Sequence, residues 1–468
     1  MVELFLKQLL AEFNIAAGKF SDNTVARLLH NAKINELTKS ITAAKNKVIS
    51  IFHIYKETEE FKDAQIMLPN AVSRKHYEYR VDLSRFPNIC IREIRNLDKA
   101  GLSFDVASAK ISGIPASALS VDLQLSFTCG QGEDQVEDIK IIPFTVNADP
   151  KDLWLNKPSN KNDLYAKADS DKYAGPFLDK RIAVASQRGR SHAHEGAFRD
   201  DHFYVCKLPL GWEIIAVADG AGSAKFSRQG SKIATTFIAE SFHDETLLAE
   251  LSERCSDYFN AAVSNTPETP AAAEDPALKH KSSIINILYK QVRNLHAKLI
   301  EFAQQEAIQL KDLNTTLIFA LTGKFDNGYT VLTFGVGDCP VNIITGNPVE
   351  VKLLNQLDIG EFGGGTRFVT MPEIFTNDIA SRFAINRFED FSRLVLMTDG
   401  VYDPKFVTEN KLEDKAAWDA FFADLDGHNE DNARVDFLRN DGIEDQLLSW
   451  LNFWSKGNHD DRTLAIIY

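Results

Sequence analysis

Trp212–Gly222 reads WEIIAVADGAG. Five apolar residues, Ile214 to Ala218, run without a break and stop at Asp219-Gly220. An unbroken apolar run of that length bounded by glycine predicts a strand covered on both faces. A carboxylate at its end leaves the core with little freedom to wander, and the glycine after it lets the backbone turn sharply beside a ligand. Taken singly, Asp-Gly after a strand is an ordinary turn. The pattern carries weight here because it repeats.

Ser392–Gly400, SRLVLMTDG, is a second apolar run ending in Asp399-Gly400. Tyr329–Asp338, YTVLTFGVGD, is a third, with Asp338 just past its end. Asp460 and Asp461 stand before the closing run TLAIIY, and Asp200 and Asp201 lead into His202–Cys206. Acidic residues therefore mark the ends of at least five predicted strands. Carboxylates gathered without partners repel, so an ionised cluster calls for cations. Oxygen ligands without cysteine or spaced histidine favour the hard ions Mg²⁺ or Mn²⁺ over zinc. Two such ions can generate a hydroxide nucleophile near neutral pH, which suits phosphoryl chemistry.

The chain as a whole sets the bounds. Its 468 residues leave room for two or three domains. With 44% hydrophobic and 25% charged residues it is globular in composition, and a formal charge of −14 argues against a nucleic-acid or anionic-membrane binder. The N-terminus MVELFLKQLLAEF lacks the features of a secretory leader, and no apolar run approaches the length that spans a bilayer. The five scattered cysteines read as reduced thiols, and the expected location is cytoplasmic.

Residues 1–65 have helical periodicity, with stripes Leu4, Leu9, Leu10, Phe13 and Val48, Ile51, Phe52, Tyr55 that predict a helical hairpin. Residues 66–150 change to alternating stretches such as His76–Val81 and Leu123–Phe127, separated by Pro, Asn and Gly. Within them Gly101–Pro115, GLSFDVASAKISGIP, resembles the signature of bacterial cadherin-like, immunoglobulin-type modules, which act as spacers or binding surfaces. Residues 151–180, rich in Asp, Lys, Asn and Ser, read as a linker.

From residue 181 onward strands and long helices come in blocks. Strands are expected at Arg181–Ser186, His202–Cys206, Thr315–Thr322, Tyr329–Val336, Arg393–Thr398 and Thr463–Tyr468. Helices are expected at Gln229–His243, Leu247–Ala262 and Ser282–Gln309 and between Ala416 and Trp454, with a loop at Thr266–Asp275. The glycine-rich loop Asp358–Thr370 is expected to form a flap near the site.

In order along 184–468, RDDHFYV, VADGAGSAKFSRQGS, NTTLIFAL, GVGDCP, LVLMTDGVYD and DDRTLAII resemble the motifs of the type-2C metal-dependent serine/threonine phosphatases. Six motifs in the right order are specific where no single one is. The resemblance implies a four-layer αββα sandwich, two mainly antiparallel sheets flanked by helices, so that the whole chain is classed α+β. It implies two Mn²⁺ or Mg²⁺ ions. Asp219 would bridge them with the Gly220 carbonyl on one, Asp399 and Asp460 would complete the first site, and Asp201, with Asp200, would hold the second. Asp338 falls where some members place a third, weaker ion, and Asp403 fills the last acidic position of the TDGVYD motif. A metal-bound hydroxide would then hydrolyse phosphoserine or phosphothreonine in a protein substrate, without a covalent phospho-enzyme.

This chain departs from the family pattern in places. Gly196 stands where much of the family has an arginine, and RGRSHAHEGAFRDD resembles a bacterial branch with a Gly-x-x-His element. Arg188 or Arg190 is then the candidate phosphate clamp and His192 the candidate proton donor to the leaving oxygen. Asp461 replaces the family's asparagine, and DGAGSA replaces DGxGG. Two other metal readings are weaker. GNHD at 457–460 is a hallmark of calcineurin-like phosphoesterases, but the chain ends too soon for the further histidine ligands that fold needs. His192 and His194 form a pair without a third ligand. The alternative of another class is a silent pseudophosphatase serving as a phosphoprotein-binding scaffold, against which the ligand set is complete. A phosphoprotein substrate is the expected partner, with a serine/threonine kinase as its source by analogy, and neither nucleic acid nor membrane is expected.

Overall fold

The computed structural model describes residues 2–15, 22–150, 154–264, 276–346, 348–358 and 365–468. The chain divides into two compact units, Met1–Leu153 and Trp154–Tyr468.

In the first unit, helices α1 (Val2–Glu12), α2 (Asp22–Leu29) and α3 (Ala32–Asp63) precede seven strands. The expected hairpin is thus three helices, and the third is 32 residues long. Its start is capped by Asn31, whose side chain accepts from the Lys33 and Ile34 amides. The strands are β1 (Ala71–Val72), β2 (Tyr77–Arg80), β3 (Ile89–Arg95), β4 (Leu102–Asp105), β5 (Lys110–Gly113), β6 (Leu119–Cys129) and β7 (Val136–Asn147). They form one sheet in the order β1-β7-β6-β3 and another in the order β2-β5-β4. The inward residues Leu123, Leu125 and Phe127 of β6 meet Ile142 and Phe144 of β7 and Phe61 of α3 in one core. The end of the helix is therefore part of the β module's interior rather than a separate region. Gly101 and Gly113 both have φ above zero, and a Cβ on Gly113 would meet the Gly101 carbonyl at 2.5 Å, which accounts for the glycines of the GLSFD…ISG stretch.

The second unit opens with β8 (Ser170–Phe177) and β9 (Lys180–Gln187), then α4 (Arg190–Glu195), β10 (His202–Lys207), β11 (Trp212–Ala218), α5 (Ser227–Glu240), α6 (Glu245–Ser264) and α7 (Pro276–Gln305). It continues with β12 (Leu317–Phe325), β13 (Gly328–Val336), β14 (Val341–Ile344), β15 (Val351–Leu353), β16 (Phe383–Phe388), β17 (Arg393–Met397), α8 (Asp399–Phe406), α9 (Lys415–Leu425), α10 (Ile443–Trp450) and β18 (Arg462–Ile467). Strand β8 corrects the reading of 151–180 as a linker. Its exposed face is polar, so its composition imitates a linker, but its backbone pairs with β9 along its full length.

Two sheets result, β10-β11-β12-β13-β16 and β15-β14-β17-β18-β9-β8, and every pairing in them among the described residues is antiparallel. Every residue of β11 is buried. Its alternate residues serve different cores. Ile214, Ala216 and Ala218 pack with Ile238, Leu248, Leu288 and Leu295 of the helices, while Ile215 and Val217 face Val184, Leu394, Leu396 and Ala465 of the other sheet. In that sheet Ala183, Ala185, Val395, Met397, Leu464 and Ile466 point the opposite way, onto Trp418, Phe421, Leu447 and Trp450. Strands covered on both faces carry near-continuous apolar runs, which is why β11, β17 and β18 lack the usual alternation. The expected loop Thr266–Asp275 and residues 359–364 of the expected flap lie outside the described residues.

Candidate metal centre

The unbroken apolar runs end together. β11 delivers Asp219, and the amide of that residue donates to Thr316 Oγ1 at 2.9 Å while its carbonyl accepts from Thr315 Oγ1 at 2.8 Å. The NTT segment thus clamps the backbone that carries the carboxylate. β17 delivers Asp399 as the first residue of α8, and Asp403 stands one helical turn further on. β13 delivers Asp338, whose Oδ2 accepts from Thr366 Oγ1 at 2.7 Å. Asp201 enters from the start of β10 and is wholly buried, with Oδ2 accepting from Thr398 Oγ1 at 2.9 Å and Thr463 Oγ1 at 2.7 Å. Asp460 precedes β18 and accepts the Asp461 amide at 2.8 Å.

These carboxyls feel one another. Burial, and then the charges of Asp399, Asp201, Asp460 and Asp338, push Asp219 well above the ordinary carboxylate range. Burial and the charges of Asp460 and Asp338 do the same to Asp399. Asp201 is pushed up to about 7 by burial and by Asp461, and Asp200 to about 6 by the same causes. Asp338, Asp403 and Asp460 are raised, with burial the leading cause in each. Oδ1 of Asp201 and Oδ1 of Asp399 are buried and have no hydrogen-bond partner. Unsatisfied carboxylate oxygens in a cluster of like charges fit hard divalent cations, and oxygen donors dominate the set. Two groups have ligand atoms all within 4.8 Å of one another: Asp219 with Asp338 and Cys339, and His192 with Asp460 and Asp461. The backbone also comes close at this place. A Cβ on Gly220 would meet the Asp200 carbonyl at 2.8 Å, and one on Gly400 would meet the Asp461 carbonyl at 1.9 Å.

The structure separates the two candidate arginines. Arg188 is buried, and its guanidinium donates to the Ala197 carbonyl (2.9 Å), Asn156 Oδ1 (2.8 Å) and the Lys157 carbonyl (3.0 Å), beside Asp169 at 3.1 Å. These bonds tie Arg188 to 156–157 and to Ala197. Arg190 donates to the Asn452 carbonyl at 2.8 Å and lies over the Trp454 ring, but its buried Nε has no partner. His192 is brought to the centre: Nδ1 is 3.0 Å from Asp461 Oδ1, and Nε2 is 3.8 Å from Asp200 Oδ2. Burial alone would lower its pKa, yet the Asp461 carboxylate and the other acidic neighbours raise it to about 10.

Several contributors escaped the sequence reading. Asp461 was legible as a strand-end acid in place of the family's asparagine, but its partners were not. It accepts the Gly189 amide at 2.6 Å, the Asp200 amide and His192, and these bonds hold it below the ordinary carboxylate range despite burial. Lys167 donates to the Asp201 carbonyl from the segment read as a linker, where nothing in the composition marks it. Cys339 lies behind Asp219, 3.4 Å from Thr316 Oγ1, and burial pushes its thiol well up. Thr463 was legible as the threonine of the DDRT motif, but its bond to Asp201 was not.

Among known proteins, no curated protein matches the chain. It is similar in structure to serine/threonine phosphatase Stp1 from Staphylococcus aureus, at 14% identity over 63% of this chain and 95% of that one, with a TM-score of 0.36. It is similar to the S. agalactiae serine/threonine phosphatase, at 14% identity over 63% of this chain and 99% of that one, TM-score 0.36. It is also similar to RsbX in complex with magnesium, at 12% identity over 64% of this chain and 98% of that one, TM-score 0.33. The family model described as protein phosphatase 2C matches residues 188–452, more than half of the sequence. With that match spanning the carboxylates of four converging segments, the chain belongs to the protein phosphatase 2C family.

Proposed function

We propose that this chain is a metal-dependent protein phosphatase acting on phosphoserine and phosphothreonine, with its second unit folded as a four-layer αββα sandwich. The observation that carries the reading is the convergence of Asp201, Asp219, Asp338, Asp399 and Asp460 on one buried cluster whose members raise each other's pKa. Asp219, the Gly220 carbonyl, Asp399 and Asp460 would hold one ion, and Asp201 with Asp200 a second. Asp338 and Asp403 would hold a weaker third. Mn²⁺ or Mg²⁺ bound there supplies charge neutralisation for the phosphoryl oxygens and a water acidic enough to attack phosphorus.

The protein's own groups do the rest. Arg190, with an unpartnered buried Nε, would bind and orient the phosphoryl group. His192, held by Asp461, keeps a proton at Nε2 for the departing seryl or threonyl oxygen. The Thr398 and Thr463 hydroxyls fix one oxygen of Asp201 and so leave the other for an ion. In the same reading the β strands of the first unit form the immunoglobulin-like module, a docking element. The substrate is a phosphoprotein made by a partner serine/threonine kinase, and the setting is cytoplasmic. No described helix is long and apolar enough to cross a membrane.

The test is hydrolysis of p-nitrophenyl phosphate and of a phosphothreonine peptide in Mn²⁺, Mg²⁺ or EDTA, with Asp219→Ala and Asp399→Ala alongside. Turnover that requires metal and is lost in both variants is the expected result. A folded protein that binds the phosphopeptide but turns over neither substrate with either metal would replace the enzyme by a pseudophosphatase scaffold.

A further inference from the structure

Residues 154–169 of the second unit form neither strand nor helix, yet they are held along their length. Three arginines do this, each beside a part of the candidate site. Arg188, just before Gly189, donates to Asn156 Oδ1 at 2.8 Å and to the Lys157 carbonyl at 3.0 Å. Arg199, next to Asp200, is buried and donates through Nε to the Ala168 carbonyl at 3.3 Å. Arg228 of α5 donates to Asp163 Oδ1 at 2.6 Å and to the Tyr165 carbonyl at 2.9 Å. A segment without a ladder of its own must find other donors for its carbonyls, and here guanidinium groups supply them. What the strap delivers is Lys167, whose Nζ donates to the Asp201 carbonyl. Among the described residues, no other donor reaches that carbonyl.

The neighbouring groups have their own holders. Asp461 accepts the Asp200 amide, and the Ser231 hydroxyl donates to the Asp200 carbonyl. Thr398 and Thr463 fix Oδ2 of Asp201, while Oδ1 is buried without a partner. The direction in which Oδ1 leaves the main chain depends on the peptide plane that Lys167 pins. Groups behind a ligand commonly set its aim in this way, and their loss costs about 10- to 100-fold in metal affinity. Burial, and then the charge of Arg199, lower the Lys167 pKa well below the ordinary lysine value. The bond does not depend on that proton, because an uncharged amine still donates to a carbonyl. We propose that Lys167 is a positioning residue for the second metal ion, holding the Asp201 backbone so that Oδ1 faces that ion. The proposal rests on the metal-centre reading given under the proposed function.

The test is Mn²⁺ binding to the full-length protein, read from the electron paramagnetic resonance signal of free Mn²⁺. The wild type should bind at least two ions. Asp201→Asn identifies the binding step that belongs to the second ion, and Asp399→Asn the step that belongs to the first. Lys167→Met should weaken the Asp201-dependent step roughly 10- to 100-fold and leave the other within about twofold, with unchanged far-UV circular dichroism. Lys167→Arg, which keeps a donor of sufficient reach, should restore the affinity, and Lys161→Met, an exposed position on the same strap, should match the wild type. If Lys167→Met does not fold, Lys167→Gln, with a shorter donor, takes its place with the same expected loss. Equal weakening of both steps, or a lower melting temperature with both steps unchanged, would make Lys167 a structural residue only and overturns the proposal. A tighter second step overturns it as well, since Lys167 would then be a charge competing with the ion. A wild type that binds fewer than two ions overturns the metal-centre reading itself, and this proposal with it.

Discussion

Asp461→Asn restores the residue that the family's usual motif carries at this place, and in this chain it is expected to be costly. All three partners of the Asp461 carboxylate are donors: the Gly189 amide at 2.6 Å, His192 Nδ1 at 3.0 Å and the Asp200 amide. A carboxylate offers two acceptor oxygens, while asparagine offers one and must aim its NH₂ at a remaining donor. If the amide oxygen stays with Gly189 and His192, the NH₂ faces the buried Asp200 amide. One hydrogen bond to a charged acceptor is lost, about 1.5–3 kcal/mol, and a buried N–H is left unsatisfied, about 1–3 kcal/mol. Some relaxation is expected, so the net loss is on the order of 3–4 kcal/mol, which lowers Tm by roughly 5–6 °C in a unit of this size. His192 also loses the counter-ion that holds its pKa near 10, so burial should bring the imidazole down toward or below its ordinary value of 6.5. The assay is thermal unfolding in EDTA at pH 7 together with an NMR titration of the His192 ring. The pair's contribution is complete between the ordinary values of 3.8 and 6.5, since a depressed carboxyl loses its share as pH falls and a raised imidazole loses its share as pH rises toward 10. A variant that melts within 1 °C of the wild type, with His192 still titrating above 9, would refute this account of Asp461.

Other consequences are equally direct. The raised carboxyls destabilise the fold once ionised: stability is complete below the ordinary carboxylate range and is lost as pH rises through the folded values, about 7 for Asp201. Metal-free protein should therefore melt lower at pH 8 than at pH 6, with Asp201 alone worth roughly 1 kcal/mol across that interval, and saturating Mg²⁺ or Mn²⁺ should remove the difference; equal melting at both pH values in EDTA would contradict it. Gly400→Ala places a Cβ 1.9 Å from the Asp461 carbonyl and should cost about 3 kcal/mol or prevent folding, while Gly346→Ala, in open space, should be neutral in a urea midpoint. Phe61→Ala removes a fully buried ring that lies edge-on to Phe86 and Phe127, and a loss of about 3–5 kcal/mol should appear in hydrogen exchange of the β6 amides.

Sequence alone determined the strands that matter and the acids at their ends. Burial on both faces favours long apolar runs, so the cores of β11, β13, β17 and β18 are continuous in the sequence, and the end of such a strand is where a carboxylate can stand. The order of the motifs along the chain also carried the family. What the sequence could not supply was any contact between residues far apart. Arg188 and Arg190 differ by two positions and have the same chemistry, yet one is spent on 156–157 and the other keeps an unpartnered nitrogen, because the first closes β9 and the second opens α4. Strand β8 was hidden because its edge faces solvent and its composition is polar, so only backbone pairing with β9 reveals it. Asp461 read as an added negative charge in place of asparagine until the fold placed Gly189, His192 and Asp200 around it from some 260–270 residues away. Local physics writes itself into periodicity and turn residues, whereas a hydrogen-bond partner across the chain leaves no local trace, and only the tertiary structure decides it.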